Sequence, residues 1–131
     1  MALEKGIAEL VREFIDAGRP SSREQNIDDR RRGYIASTVL AGEQEKRVQV
    51  EEIELEGMIF RVVSPLNASG ALPAVIYFHG GCFISGGFAT HDHQLRQLAY
   101  HSGCRVIAMQ YRLAPEHTFP AAHDDAERGA L

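Results

Sequence analysis

The sequence has few cysteines, and they are not spaced as metal ligands or cross-links. Its 131 residues include two, Cys82 and Cys104, whose separation fits neither a metal-ligand motif nor a disulfide framework. No apolar run approaches the ~18 residues that a membrane-spanning helix needs. The first ten residues, MALEKGIAEL, carry charges where a signal peptide has an unbroken apolar core. These absences predict a cytoplasmic protein without a metal site and without contact with a membrane.

Excess positive charge is also missing, which excludes most anionic partners. The sequence has 14 lysines and arginines against 18 aspartates and glutamates, a net charge of −4 at pH 7. Neither nucleic acid nor an anionic membrane is therefore an expected partner. The one basic run, Arg30-Arg31-Arg32, directly follows Asp28-Asp29 and is interpreted as a solvated helix face. With 44% hydrophobic and 24% charged residues, the chain is predicted to form one globular domain at most.

Hydrophobic periodicity changes near residue 46. Over residues 2–17, apolar side chains recur at three- and four-residue spacing, which predicts an amphipathic helix. A second, more polar helix is expected over residues 22–41. From Val48 to Pro65 the apolar residues alternate instead, which predicts a β-hairpin with Glu56-Gly57 as its turn.

Two continuous apolar runs follow the hairpin. AVIYF (74–78) and CRVIAMQY (104–111) are predicted to be strands buried on both faces. Residues 90–101 between them are predicted to be a helix capped by Thr90. Strand, helix and strand in this order predict a parallel pair, so the fold class is α/β. Farther on, Pro120 suits the first turn of a last helix, with Asp124 and Asp125 near its positive end.

The loop HGGCFISGG (79–87) leaves the first of these strands. Ligands bind at the carboxyl ends of parallel strands, and glycine lets backbone N–H groups approach a ligand closely. Two N–H groups aimed at one point stabilise a developing oxyanion. A dinucleotide site would need G-x-G-x-x-G, and a phosphate loop would need a lysine, yet none follows Lys46. The loop alone fits an oxyanion site and a plain structural turn equally well.

The wider context favours the oxyanion site. HGGCFISGGFATHD followed by VIAMQYRLAPEHTFPAAHDDA resembles the hormone-sensitive-lipase-like branch of the α/β-hydrolase superfamily, which includes carboxylesterases and acetyl esterases. The resemblance covers residues 48–131. It implies a partial α/β-hydrolase fold: an N-terminal helical cap segment (1–45), then the hairpin and βαβ unit of a mostly parallel sheet as the N-terminal part of the core (46–131).

The resemblance also assigns the loop residues. In that family the loop reads His-Gly-Gly-Gly, and two of its amides form most of the oxyanion hole. Carried over, the two donors are Gly81 and Cys82, with His79 and Gly80 as loop support. Cys82 stands where the family has glycine. It keeps the amide, but a positive φ at this position would strain it by ~1 kcal/mol or more.

Other marked residues have two interpretations each. Phe83, Ile84 and Phe88 line an acyl pocket or belong to the core, with equal weight. The thiol of Cys82 is a minor candidate nucleophile, since free cysteines mostly behave as small hydrophobes. The remaining polar residues are expected to be structural: His91-Asp92-His93 at a helix start rather than at a metal, Arg112 and Glu116 as a local ion pair, and His101, His117 and His123 at the surface.

The catalytic serine that the resemblance implies is absent. A family nucleophile sits in G-x-S-x-G, whereas Phe83 stands two residues before Ser85 and Tyr100 two before Ser102. The family's serine, acid and histidine lie beyond the YRLAPE segment. We therefore expect the front portion of a serine carboxylesterase for short-chain acyl esters, ending before the nucleophile strand, with no cofactor and no activity alone. The alternatives are a non-catalytic remnant and a plain α/β interaction domain.

The same resemblance predicts an open sheet edge. In the superfamily, the strand equivalent to AVIYF lies between the next strand of the chain and the nucleophile-bearing strand. Without the latter, residues 74–78 offer an unpaired apolar edge, and such edges pair with other chains. The expected partners are an ester substrate and either a complementary C-terminal chain or a second copy bound at this edge.

Overall fold

A computed structural model describes residues 4–18, 20–21, 23–66 and 69–131. The first helix, α1, spans Lys5–Asp16, and α2 spans Ile27–Ala36 before a 3-10 turn at Ser37–Ala41. The remaining elements are β1 (Val48–Leu55), β2 (Met58–Pro65), β3 (Ala74–Tyr77), α3 (Phe88–Ser102), β4 (Arg105–Met109) and α4 (Ala121–Ala130). Both N-terminal helices were expected, but α2 is shorter than predicted at both ends, and Ser22, its expected start, lies outside the described residues.

The hairpin prediction is confirmed. β1 and β2 pair antiparallel from Val48↔Pro65 to Leu55↔Met58, which leaves two residues for the turn. Glu56 has φ 51° and Gly57 has φ 75°. Positive φ at both positions is the conformation of a two-residue turn whose twist matches that of the strands.

The sheet order is β1-β2-β4-β3, and β3 lies at its edge. β3 and β4 pair parallel across α3, so the βαβ prediction is confirmed, while β2 and β4 pair antiparallel. Among the described strands the sheet is thus mixed rather than mostly parallel. The prediction that β3 is buried on both faces was wrong. Ile76 within the strand and Phe78 directly after it are each 42% exposed. As an edge strand, β3 has a described neighbour on one side alone.

The core lies on both faces of the sheet. One face packs against α3 through Val63, Leu95 and Val106, each fully buried. The other face packs Phe60 and Met109 against Ala122 and Ala126 of α4. The period of two along β2 and β4 separates these clusters, because Val63 and Val106 point away from Phe60 and Met109.

Two helix starts differ from the expectation. Gly87, not Thr90, precedes the first residue of α3, and the Thr90 hydroxyl donates to the Gly87 carbonyl at 3.0 Å. Asp92 lies beyond the first turn of α3, and its carboxylate binds Arg61 at 2.9 Å and Arg96 at 2.6 Å. The pair with Arg61 fastens α3 to β2, whereas Arg96 lies on α3 itself, four residues after Asp92. Pro120 precedes α4 rather than lying within its first turn.

The N-terminal helices bury little. No residue of α1 or α2 is buried, and the apolar side of α1 is exposed at Ile7, Leu10, Val11, Phe14 and Ile15. The division at residue 45/46 stays a prediction. None of the described helices combines the length and the apolar composition that crossing a bilayer requires.

Candidate functional site

The glycine loop connects the carboxyl end of β3 to the start of α3. It is closed by one carbonyl oxygen, that of Gly81, which accepts from the N–H of Ile84 at 3.1 Å and of Ser85 at 3.0 Å. The Ser85 hydroxyl donates to the same oxygen at 3.0 Å. Three donors on one acceptor fix the orientation of the peptide between Gly81 and Cys82.

That orientation decides where the Cys82 amide points. The peptide is trans, so its N–H lies opposite the carbonyl that the turn has captured. The Cys82 N–H therefore points out of the turn. Over the described ranges, neither Gly81 nor Cys82 uses its N–H in a hydrogen bond. Two neighbouring donors are thus available to a ligand at the tip of β3.

Glycine is required at two positions of the loop. Gly81 has φ 138°, and a methyl group there would lie 1.9 Å from the Ser85 carbonyl oxygen. Gly86 has φ 101°, and its methyl group would lie 2.3 Å from the Gly80 carbonyl oxygen. Backbone cannot move away as a flexible side chain can, so any larger residue would rebuild the turn.

Cys82 and Phe83 occupy the left-handed region without being glycine. Their φ values are 55° and 61°, a conformation that costs an L-residue roughly 1–2 kcal/mol. Both side chains are exposed. The loop therefore holds Cys82 and Phe83 in a strained backbone conformation. Such strain is common at functional sites.

His79 holds the preceding peptide. Its Nδ1 lies 3.0 Å from the Gly80 carbonyl oxygen, which can only accept, so Nδ1 carries the proton. The Gly80 carbonyl is thereby held toward the ring, and the N–H of Gly81 in the same peptide points away from it. The ring stacks on Tyr111 at 4.2 Å between centroids, and the Tyr111 hydroxyl donates to the His79 carbonyl at 2.5 Å.

His79 is neutral at physiological pH. Burial lowers the pKa of its imidazole, and burial likewise lowers that of His91, whose ring lies 5.4 Å away. With Nδ1 engaged, the second nitrogen, Nε2, is buried and has no hydrogen-bond partner among the described residues. The geometry gives His79 a positioning role within the loop.

Comparison with known proteins shows which proteins this chain resembles in sequence and structure. A family model described as alpha/beta hydrolase fold matches residues 75–130. The hyperthermophilic esterase of the archaeon Pyrobaculum calidifontis superposes on 99% of this chain with a TM-score of 0.82 and 35% identity. An esterase of the bacterial hormone-sensitive lipase family superposes on 99% with a TM-score of 0.80 and 27% identity. The chain is thus related to α/β-hydrolase esterases and shares their fold.

The match is to the N-terminal part of these hydrolases. The ethyl acetate hydrolase of Pseudomonas putida is 31% identical over 139 residues, which cover 96% of this chain and 43% of that protein. The superposed parts are 43% of the Pyrobaculum esterase and 42% of the lipase-family esterase. The chain thus spans less than half the length of these hydrolases.

The three candidate pocket residues differ in burial. Phe83 is 54% exposed in the glycine loop, and its ring centroid lies 5.6 Å from that of His123. Ile84 is half-buried beside it. Phe88 instead lies in the core cluster between the sheet and α3, so of its two interpretations the structure supports the core.

Arg31 does not lie on a solvated helix face as expected. Its Nε donates to the Ile84 carbonyl at 2.8 Å, and its Nη2 to the Ala114 carbonyl at 3.0 Å. Both terminal nitrogens also bind the Glu116 carboxylate, at 2.7 and 2.8 Å. Arg31 lowers the pKa of Glu116 to about 2, so this pair persists throughout the neutral range. The neighbouring Arg32, exposed and paired with Asp29, fits the expectation.

The local pair between Arg112 and Glu116 was predicted wrongly. Arg112 instead binds Asp125 of α4, at 2.7 Å from Nη2 and 3.0 Å from Nε to Oδ1. The Arg112 backbone N–H donates to the same carboxylate at 2.9 Å. Spacing could not reveal this pair, because its members are 13 residues apart in the chain.

The histidines outside the loop are either exposed or close to neighbouring hydroxyl groups. His101, His117 and His123 are exposed, as expected. In the part of the chain that the structure describes, no three histidine, cysteine or acidic side chains are placed to hold a metal ion. His91 lies 3.3 Å from the Tyr34 hydroxyl through Nε2 and 2.8 Å from the Thr90 hydroxyl through Nδ1.

An open groove of about 400 Å³ lies beyond the carboxyl end of β4. It is lined by Arg31, Gln110, Tyr111, Arg112, Leu113, Glu116 and His117, and Gly81 and Cys82 do not line it. Cys82 itself is exposed, outside this groove.

Proposed function

We propose that this chain is the N-terminal portion of a serine carboxylic-ester hydrolase for short-chain acyl esters, and that it supplies the oxyanion-hole loop. The observation that carries the proposal is the pair of amides on Gly81 and Cys82. Neither donates a hydrogen bond over the described ranges, while the carbonyls of the same peptides are captured by His79 and by the turn. An ethyl acetate hydrolase among the relatives supports a short acyl group.

The loop would act on the charge that develops during acyl transfer. When a serine attacks an ester, the carbonyl oxygen becomes an oxyanion, and donors already aimed at it stabilise the transition state without reorganisation. Loss of one such donor raises the barrier by about 2.7–4 kcal/mol. Gly81 and Cys82 would supply two donors, and neutral His79 would keep the first of them in place.

The reacting residues would come from sequence outside these 131 residues. No serine here has glycine two positions before it, so G-x-S-x-G is absent. An oxyanion hole without a nucleophile and its base gives only a residual rate. We therefore expect negligible esterase activity from the chain alone.

The open edge of the sheet would receive the complementary part. The two edges of the described sheet differ in charge: β1 carries Glu51, Glu52 and Glu54, whereas the AVIYF segment at β3 has no charged residue. Charged edges resist pairing and apolar edges favour it. A complementary C-terminal chain, or a second copy, would thus pair at β3. A non-catalytic interaction module would use the same edge.

The test joins this chain to the missing part. The 131 residues are fused to the C-terminal part of the Pyrobaculum esterase, and turnover of p-nitrophenyl acetate and butyrate is measured. The fusion should hydrolyse both esters, whereas the chain alone and a fusion with the nucleophilic serine changed to alanine should not. Turnover by the purified chain alone would refute the proposal. A folded but inactive fusion would favour the interaction module.

A further inference from the structure

One side chain connects the N-terminal helices to the glycine loop. Arg31 projects from α2 and donates from Nε to the Ile84 carbonyl at 2.8 Å. Its side chain is only 26% exposed. The resemblance to esterases assigned no role to this residue, and the basic run in the sequence suggested a solvated position.

The contact with Ile84 acts on a rigid unit. The Ile84 carbonyl belongs to the same planar peptide as the Ser85 N–H, and that N–H donates to the Gly81 carbonyl at 3.0 Å. The Gly81 carbonyl in turn shares its peptide with the Cys82 N–H. Two rigid peptides joined by one hydrogen bond therefore lead from the guanidinium of Arg31 to the free amide of Cys82.

Further hydrogen bonds fix the position of Arg31 relative to the loop. The Ala114 N–H donates to the Phe83 carbonyl at 2.8 Å, and the Ala114 carbonyl accepts from Arg31 at 3.0 Å. Glu116 binds both terminal nitrogens of the guanidinium. The fixed fork of arginine satisfies these acceptors together, whereas the single ammonium of lysine does not match their geometry.

We propose that Arg31 is a positioning residue that sets the direction of the Cys82 amide from helix α2. Its consequence for catalysis rests on the proposed function. The coupling itself is a property of this chain, so it can be measured without any reaction. A change in the N-terminal segment that moves α2 would be transmitted to the oxyanion loop by this route.

Amide hydrogen exchange of the 131-residue chain tests the coupling. Removal of a charge-assisted hydrogen bond should speed exchange at the Ser85 amide by about tenfold in Arg31→Gln, with Arg31→Lys intermediate. Exchange in the β1–β2 hairpin should stay unchanged. Arg32→Gln is the matched control, since Arg32 is exposed and pairs with Asp29, so its loss should leave the Ser85 amide protected. Equal Ser85 exchange in the two glutamine variants would overturn the proposal.

If Arg31→Gln unfolds the chain, Arg31→Lys decides alone: wild-type protection of Ser85 in that variant would refute the coupling. Kinetics of the esterase fusion supply the second readout. Arg31→Gln should lower kcat about tenfold with KM within about twofold, because the oxyanion forms only in the transition state. Unchanged kcat would contradict the positioning role. An inactive wild-type fusion would refute the proposed function, while the exchange result would still decide the coupling.

Discussion

Cys82 holds a conformation that favours glycine. At φ 55° its Cβ is crowded, and the proposed site would use only its amide. Cys82→Gly should therefore raise the free energy of unfolding by about 0.5–1 kcal/mol, the strain relieved less the extra entropy of an unfolded glycine. Urea denaturation of the chain measures the change. Cys82→Ala keeps the strain and should give no gain, so an alanine variant as stable as the glycine variant would contradict this explanation.

The buried histidines predict a loss of stability in mild acid. Burial lowers the pKa of His79 and His91 from the ordinary value of 6.5, so the unfolded chain takes up protons first as the pH falls. The stability present above about pH 6.5 is then lost as the pH falls through the lowered values. His91→Gln should flatten the pH dependence of the unfolding free energy between about pH 6.5 and 5. Exposed His101→Gln is the control, and equal slopes in both variants would count against the explanation.

At the scale of elements, one buried carboxylate fastens α4 to the segment after β4. Arg112 lowers the pKa of Asp125 below its ordinary value of 3.8, so the pair stabilises the fold above that pH and is lost as the pH falls through the lowered value. Asp125→Asn should cost about 2 kcal/mol at neutral pH, as hydrogen bonds to charged groups do. It should also weaken the acid dependence of urea denaturation below about pH 4. Exposed Asp124→Asn should change neither, and an equal effect there would disprove the assignment.

Local patterns in the sequence predicted the elements well. Alternation and the Glu56-Gly57 turn gave the hairpin, and two apolar runs around a helix gave the parallel pair, because each signal depends on neighbours along the chain. The exposure of β3 contradicts its apolar composition, since burial of a strand depends on what pairs beside it. The contacts of Arg31 and the pairing of Asp125 with Arg112 were missed for a related reason. Their partners are distant in sequence, so no spacing marks them.

For the whole molecule, the apolar edge at β3 should govern self-association. Ile76→Lys places a charge at this edge and should lower the apparent mass of the chain in size-exclusion chromatography. Ile59→Lys is the matched control, since Ile59 is 45% exposed on β2, which is not an edge strand. A wild-type chain that elutes as a stable monomer would argue against an open edge. So would two lysine variants that behave alike.

The central claim is that the amides after His79 stabilise an oxyanion, and one pair of variants in the esterase fusion tests it. Gly81→Ala and Gly103→Ala both place alanine at positive φ, but a methyl group at Gly103 meets nothing within 4 Å. We expect Gly81→Ala to lower kcat by roughly 10²–10³, the effect of losing one oxyanion donor, and Gly103→Ala to leave kcat unchanged. Equal kcat values in the two variants would contradict the account and leave the loop a plain turn.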